Sequence, residues 1–144
     1  LAINEKEHQH VASLLQIVSD IERISDYCEN ISEYAENLAN QKKKFSGVGA
    51  AEMKEMLEVC SDSFTYAVEA FEENSAEKAL KVIEKERSAD DLEIRLRADH
   101  MQRLANKQCD TEAGIVFLDA LVGLERISDH SRNIAEEVLS ASNK

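Results

Sequence analysis

The sequence predicts an all-α protein, an antiparallel bundle of four long helices. Three observations predict it. The 144 residues include no proline and only four glycines, so helix breakers are scarce. Apolar residues recur at steps of three and four through four long segments. The segments are joined by short polar or glycine-bearing stretches, which fold sequential helices back on one another. The length suits one domain, residues 1–144, with a substantial core.

The first helix is read from Asn4 to Ala39, with Val11, Leu14, Ile17, Ile21, Ile24, Cys28, Ile31, Ala35 and Leu38 as one stripe facing a core. The stretch from Gln41 to Gly49 interrupts it. Gly47 and Gly49 offer turn geometry, and Lys42, Lys43 and Lys44 suit the negative end of a helix dipole. A contact with phosphate or acidic lipid is the alternative use of these lysines. The second helix runs from Ala50 to Glu73, with Met53, Leu57, Cys60, Phe64, Ala67 and Phe71 as its buried stripe. Asn74, Ser75 and Glu77 resemble a capping signal for the third helix, Ser75 to Asn106. Asp110 or Thr111 caps the fourth, which continues to Ser140 on Ile115, Phe117, Leu121, Leu124, Ile127, Ile134 and Val138. Gly123 permits close approach of another helix or a ligand shell.

A net charge of −12 argues against binding a nucleic-acid backbone and suits a cation binder or an acidic surface. Cys28, Cys60 and Cys109 are isolated, an odd set that points to a reducing compartment and away from a zinc finger. Apolar runs are too short to span a membrane. The chain opens at Leu1 and enters helical pattern within a few residues, so it is expected to be part of something longer, with a membrane segment upstream left open.

One pentapeptide occurs twice. Glu22-Arg23-Ile24-Ser25-Asp26 is repeated letter for letter at Glu125-Arg126-Ile127-Ser128-Asp129, and Asn30, Ile31 and Glu33 correspond to Asn133, Ile134 and Glu136. Steps of four, four and three put each copy's Glu, Asp, Asn and Glu on one helical face. Two acids one turn apart repel mildly, and an oxygen-ligated cation is the best use of such a pair. In the third helix the apolar stepping lands on Glu86 and Asp90 instead of aliphatics. Buried acids there cost stability unless neutralised, by a cation or by an arginine such as Arg87 or Arg126.

Asp90 lies 19 positions before the turn at residue 109 and Asp129 20 positions after it. In an antiparallel pair Glu86, Asp90, Glu125 and Asp129 therefore fall at one height. Four carboxylates at one level resemble the construction of di-iron bundles, but the Glu-x-x-His of those proteins is absent. His130 and His100 are read as surface or outer-shell residues. An all-oxygen set favours iron, manganese, magnesium or calcium, with zinc at lower preference. No nucleophile with a partner base, no glycine-rich phosphate loop and few aromatics (5%) are present, so no catalysis is indicated.

Residues 125–137, Glu-Arg-Ile-Ser-Asp-His-Ser-Arg-Asn-Ile-Ala-Glu-Glu, resemble the signature helix of PhoU-like proteins, Glu-Arg-Ile-Gly-Asp-His followed by Asn-Ile-Ala-Glu. The first helix resembles the same signature, with Tyr27 at the histidine position. Arg97 to Leu104, with His100 and Arg103, and Phe117-Leu118-Asp119 resemble the variant fused to the C-terminus of sodium/phosphate cotransporters. The resemblance implies two three-helix repeats, of which this chain holds the last helix of the first and all of the second. It also implies regulation of phosphate uptake, without catalysis, at the cytoplasmic face of the membrane, with a phosphate transporter as fused or separate partner. Homo-oligomers stay open.

Iron- or zinc-type clusters would be held by Glu22 with Asp26, Glu86 with Asp90 and Glu125 with Asp129, and Asn30, Asn133, Glu33 and Glu136 are candidates for the surrounding shell. Ser25 and Ser128 stand where the signature has glycine, and Glu22 and Asp26 would lack their partner helix. Two other readings remain: a carboxylate-bridged di-metal enzyme, and a metal-free helical interaction module.

Overall fold

The first helix starts where Asn4 closes a reciprocal cap, its side chain accepting from the Glu7 N–H at 2.8 Å while the Glu7 carboxylate accepts from the Asn4 N–H at 3.0 Å. In the computed structural model, which describes residues 2–142, this helix (α1) spans Glu5–Asn40. Three more follow: α2 Gly47–Glu73, α3 Ala76–Ala105 and α4 Thr111–Ser142. Ser46, Ser75 and Asp110 cap them, each accepting a backbone N–H three residues on. No helix among the described residues is long and apolar enough to cross a membrane.

The turns differ from expectation in one respect. Gly47 and Gly49 lie inside α2 rather than in the turn, because the Ser46 hydroxyl starts the helix three residues earlier. The left-handed residues that end the first three helices are Lys42, Asn74 and Lys107, with φ of 55°, 50° and 55°. Each sits in a paired-bond terminus: Lys43 and Lys42 donate to Leu38 and Ala39, and Gln108 and Lys107 donate to Arg103 and Leu104. Asn74 therefore ends α2, and Ser75 alone starts α3. Its amide partner is Lys78, so the expected capping box with Glu77 does not form.

Helices α2, α3 and α4 pack on one another, whereas α1 packs only on α4. Cross-helix pairs fix antiparallel directions: Glu52 with Arg103 and Glu55 with Arg95 for α2 and α3, Glu86 with Arg132 and His100 with Gly114 for α3 and α4. Ser13 with Glu137 and Asp20 with His130 do the same for α1 and α4. The architecture is thus a three-helix core with α1 docked on its central member. The core holds Met56, Cys60, Ala67, Val82, Ala89, Leu96, Phe117, Leu121 and Ile134, all at most 2% exposed.

This arrangement shifts the expected stripes. On α1 only Ile17, Asp20, Ile24 and Leu38 are buried, and Val11, Ile21 and Cys28 are exposed, because a single neighbour covers a narrow face. On α2 the buried line is Met56, Cys60, Ser63, Ala67 and Ala70, and the larger Leu57 and Phe71 stand outside. Small residues let α2 sit close to both partners. On α3 Glu86 is buried as read, with Val82, Ala89, Leu92 and Leu96, whereas Leu80, Ile94 and Met101 are exposed. Ile115 is exposed at the start of α4. Gly123 is where α1 comes close, since a Cβ there would meet Ile31 at 3.1 Å.

Two buried polar clusters support the frame. His100 is 3% exposed and stacks on Phe117 at 4.2 Å. Its Nε2–H donates to the Gly114 carbonyl at 2.9 Å, leaving Nδ1 to accept from Arg103. Burial holds its pKa down, in keeping with that neutral ring. Arg103 in turn grips Glu52 through two bonds, 3.0 and 2.6 Å. Between α1 and α4, Asp20 is 1% exposed and accepts from His130 Nδ1 at 2.9 Å and Asn133 Nδ2 at 3.2 Å. His130 also stacks on Tyr27.

Because α1 rests on α4 alone, its amides should exchange with solvent ahead of those of α2–α4, measured by native-state hydrogen exchange. Asp20→Ala should widen that gap and lower overall stability by about 1–3 kcal/mol in urea, since it leaves the partners of Asp20 unpaired.

Candidate metal centre

Helix α3 carries Glu86 and Asp90 one turn apart, and α4 carries Glu125 and Asp129 at the facing level. One carboxylate oxygen from each of Glu86, Asp90 and Asp129 lies within 4.8 Å of the other two. Glu86 is buried, and Asp90, Asp129 and Glu125 are half-buried at the helix seam. The expected height match is therefore present. Glu125 stands beside this triad, hydrogen-bonded to Asp129.

Electrostatics record the crowding. Burial, then the hydrogen bond that protonated Asp90 donates to Glu86 and the charges of Glu86 and Asp129, push Asp90 up to about 6. Burial and the hydrogen bond and charge of Asp129, with the charge of Asp90, push Glu125 up to about 7. Asp129 is raised as well, by burial first and then by Glu86, with its bond to Glu125 opposing. Behind the acids, α2 contributes Cys60. Burial and the fields of Glu125, Asp129 and Asp90 push its thiol up to about 12, which fits the inert core residue read from the sequence.

One cation is already present. Arg132 donates to Glu86 at 2.6 Å and to Glu136 at 3.0 Å. The counter-charge in contact is thus neither Arg87, which is exposed, nor Arg126, whose charge reaches Glu125 and Asp129 without an ion pair. Of the seam acids, Arg132 engages one oxygen of Glu86. Asp90 and Asp129 form no ion pair with a basic side chain among the described residues. The (i, i+4) spacing of Arg132 and Glu136 was visible in the sequence, but the reach of Arg132 to α3 depends on helix rotation. The donor set fits a hard or borderline divalent cation: oxygen ligands only, several acids, and protons held where a cation would replace them.

The remaining candidates fall elsewhere. Glu22 and Asp26 are exposed on α1, which touches neither α2 nor α3, so the first copy of the motif builds no cluster here. Asn30 and Glu33 are exposed too. Asn133 is committed to Asp20 and Glu136 to Arg132, so neither surrounds the triad. Nor are the two histidines at its edge: His130 serves the α1–α4 contact and His100 lies in the core. Asp20, missed in the sequence, carried one signal, an acid between Ile17 and Ile24 in the apolar stepping.

Comparison with known proteins bears on these positions. The model of the PhoU domain matches residues 1–35 and 53–138, both copies of the motif included. The chain belongs to the PhoU domain family. Over 138 residues it is 29% identical to the phosphate-specific transport system accessory protein PhoU homolog 1 of Thermotoga maritima, covering 93% of this chain and 57% of that protein. The chain thus spans a little over half the length of that curated relative. The crystal structure of PhoU from Pseudomonas aeruginosa superposes with a TM-score of 0.91 at 24% identity, over 99% of this chain and 68% of that one, a likeness of fold. The expected PhoU-like all-α bundle is thereby shown.

The raised carboxyls set a pH dependence. An acid whose folded pKa lies above its unfolded one favours the folded state when protonated. In chelator, these acids should make the PhoU domain more stable as pH falls from about 8 through 7 and 6, towards the ordinary carboxylate range. Asp129→Asn should raise the urea midpoint at pH 8 and flatten the profile. A profile identical to that of the parent chain would remove the mutual repulsion from the account.

Proposed function

We propose that this PhoU domain is a regulatory, non-catalytic module of phosphate uptake that works on a membrane phosphate transporter, fused to it or separate, at the cytoplasmic face. The observation that carries the reading is the match of nearly the whole chain to the PhoU domain, together with a relative named as an accessory protein of a phosphate-specific transport system. The signatures at Arg97–Leu104 and Phe117–Asp119 favour the sodium/phosphate cotransporter type of partner.

The α3–α4 triad is proposed as the cation site. Glu86, Asp90 and Asp129 would hold the ion, with Glu125 next to them, and the resemblance to PhoU puts iron or zinc first, ahead of manganese, magnesium and calcium. A bound cation would supply neutralisation of the seam, so that α3 and α4 hold together without sharing protons. Glu22 and Asp26 would bind only where further helices face them. One observation favours a metal-free interaction module as the second reading: Arg132 already neutralises Glu86. The di-metal enzyme reading gains nothing from the structure, since no histidine faces the triad.

Two measurements test these statements separately. Metal content, read by elemental analysis of chelator-free protein after loading with iron, zinc or manganese, should fall to trace level in the Asp90→Ala/Asp129→Ala variant. Trace metal in the parent chain under every loading would select the metal-free module. Removing the domain from its host should change phosphate uptake or its repression by phosphate. Uptake indifferent to the domain at both low and high phosphate would reject the regulatory role.

A further inference from the structure

The −12 net charge conceals an asymmetry along the bundle. The turn after α1 and the turn after α3 lie side by side at one end, tied together by Lys43, whose amine reaches Asp110 at 3.4 Å and Glu112 at 3.2 Å. Lys43 offsets one of those two charges, and Lys42, Lys44 and Lys107 remain exposed and unpaired among the described residues, so four lysines face two acids at this tip. Arg103 and Glu52 pair just below, and α2 starts here with no acid in its first turn. Apolar surface lies among these charges: Val48 is 58% exposed and Ile115, one turn into α4, 54%.

A helix dipole alone is a weak account of the lysines. Lys42 and Lys107 occupy left-handed positions, φ 55° each, that glycine takes with less strain. The chain places a charge at both.

We propose that this blunt end docks on an anionic lipid surface, with Lys42, Lys44 and Lys107 at the headgroup phosphates and Val48 and Ile115 at their apolar boundary. Charge complementarity and the mixed basic and apolar tip carry the assignment. The acidic triad does not cancel it. Asp129 lies 18 residues along α4 from Thr111, roughly 27 Å at helical rise, and screening in physiological salt extends only about 8 Å. A bilayer therefore meets a positive tip on a negative body, which also fixes orientation, with the helices standing away from the membrane. The inference rests on the proposed work beside a membrane, but vesicles without transporter test it alone, so its failure leaves the regulatory role untouched.

The experiment is sedimentation of this chain with phosphatidylcholine vesicles, with and without about a third phosphatidylglycerol, in chelator so that divalent cations do not bridge acids to lipid. Binding should require the anionic lipid and weaken steeply with salt. The triple variant K42G/K44Q/K107G removes the charges while placing glycine where φ is positive, so its thermal midpoint should not fall. Its lipid affinity should drop about fivefold per lysine, roughly a hundredfold in all, and Lys81→Gln at the other end should bind like the parent. Absence of parent binding to anionic vesicles at low salt, or equal binding by the triple variant, overturns the proposal. So does displacement by inorganic phosphate at matched ionic strength, which would make the tip a free-anion site. Capture of a polyglutamate peptide with no capture of vesicles would assign it to an acidic protein and overturn it equally.

Discussion

Every other helix of this protein packs against α4, and that single fact constrains what α4 can carry. Its buried residues include Phe117, stacked on His100 of α3, with Leu121, Leu124, Ser128, Ser131 and Ala135; where α1 crosses it presents Gly123 and His130. Small residues recur because three neighbours must come close to one axis. Little perimeter is left for polar side chains, and Glu125 and Asp129 occupy a strip at the α3 seam. Acids in that strip are drawn together by packing that their own charge opposes. Asp90 and Glu125 are raised by their own burial first and by the neighbouring acids second, two costs that apolar packing elsewhere on the same helices outweighs.

The helices and the acidic level were legible in the sequence because both depend on spacing along the chain. Four segments with short turns fix the bundle, and equal distances from the turn at residue 109 fix Asp90 against Asp129. Rotation of each helix was less legible. On α2, Leu57 and Phe71 are more apolar than Ser63 and Ala70, yet the small residues face the core, because closeness of approach decides the face there. On α1, a continuous apolar line did not reveal that one neighbour would cover a narrow part of it. Apolar patterning does not mark Asp20 either, because a buried acid breaks the pattern that signals burial. It is buried because His130 and Asn133 bond it from α4, a satisfaction that only the third dimension displays.

Arg132 shows how close the candidate centre sits to a different solution. A seam with four acids and one arginine keeps unbalanced negative charge, which protons at Asp90 and Glu125 relieve in part. Replacing those protons by a divalent ion would relieve it without the pH penalty, while Arg132 kept its bridge to Glu136. The arginine therefore competes with a cation for Glu86 only. Asp90 and Asp129, the two triad acids with no ion pair to a basic side chain among the described residues, are the ones on which the two readings diverge.

The duplicated pentapeptide supplies the control that isolates this effect. Ile24 and Ile127 are both buried, so each copy turns its isoleucine inward. From there the copies part: Ser25 is exposed where Ser128 is fully buried, and Asp26 is exposed where Asp129 joins the triad. The rings that follow, Tyr27 and His130, stack on each other, so the copies run antiparallel and back to back, with α3 and α2 facing only the second. The same five residues on two different helices thus stand in different surroundings, set by the helices packed against them. The proposed cation site needs the α3–α4 pair, and the motif on one helix supplies half of its acids.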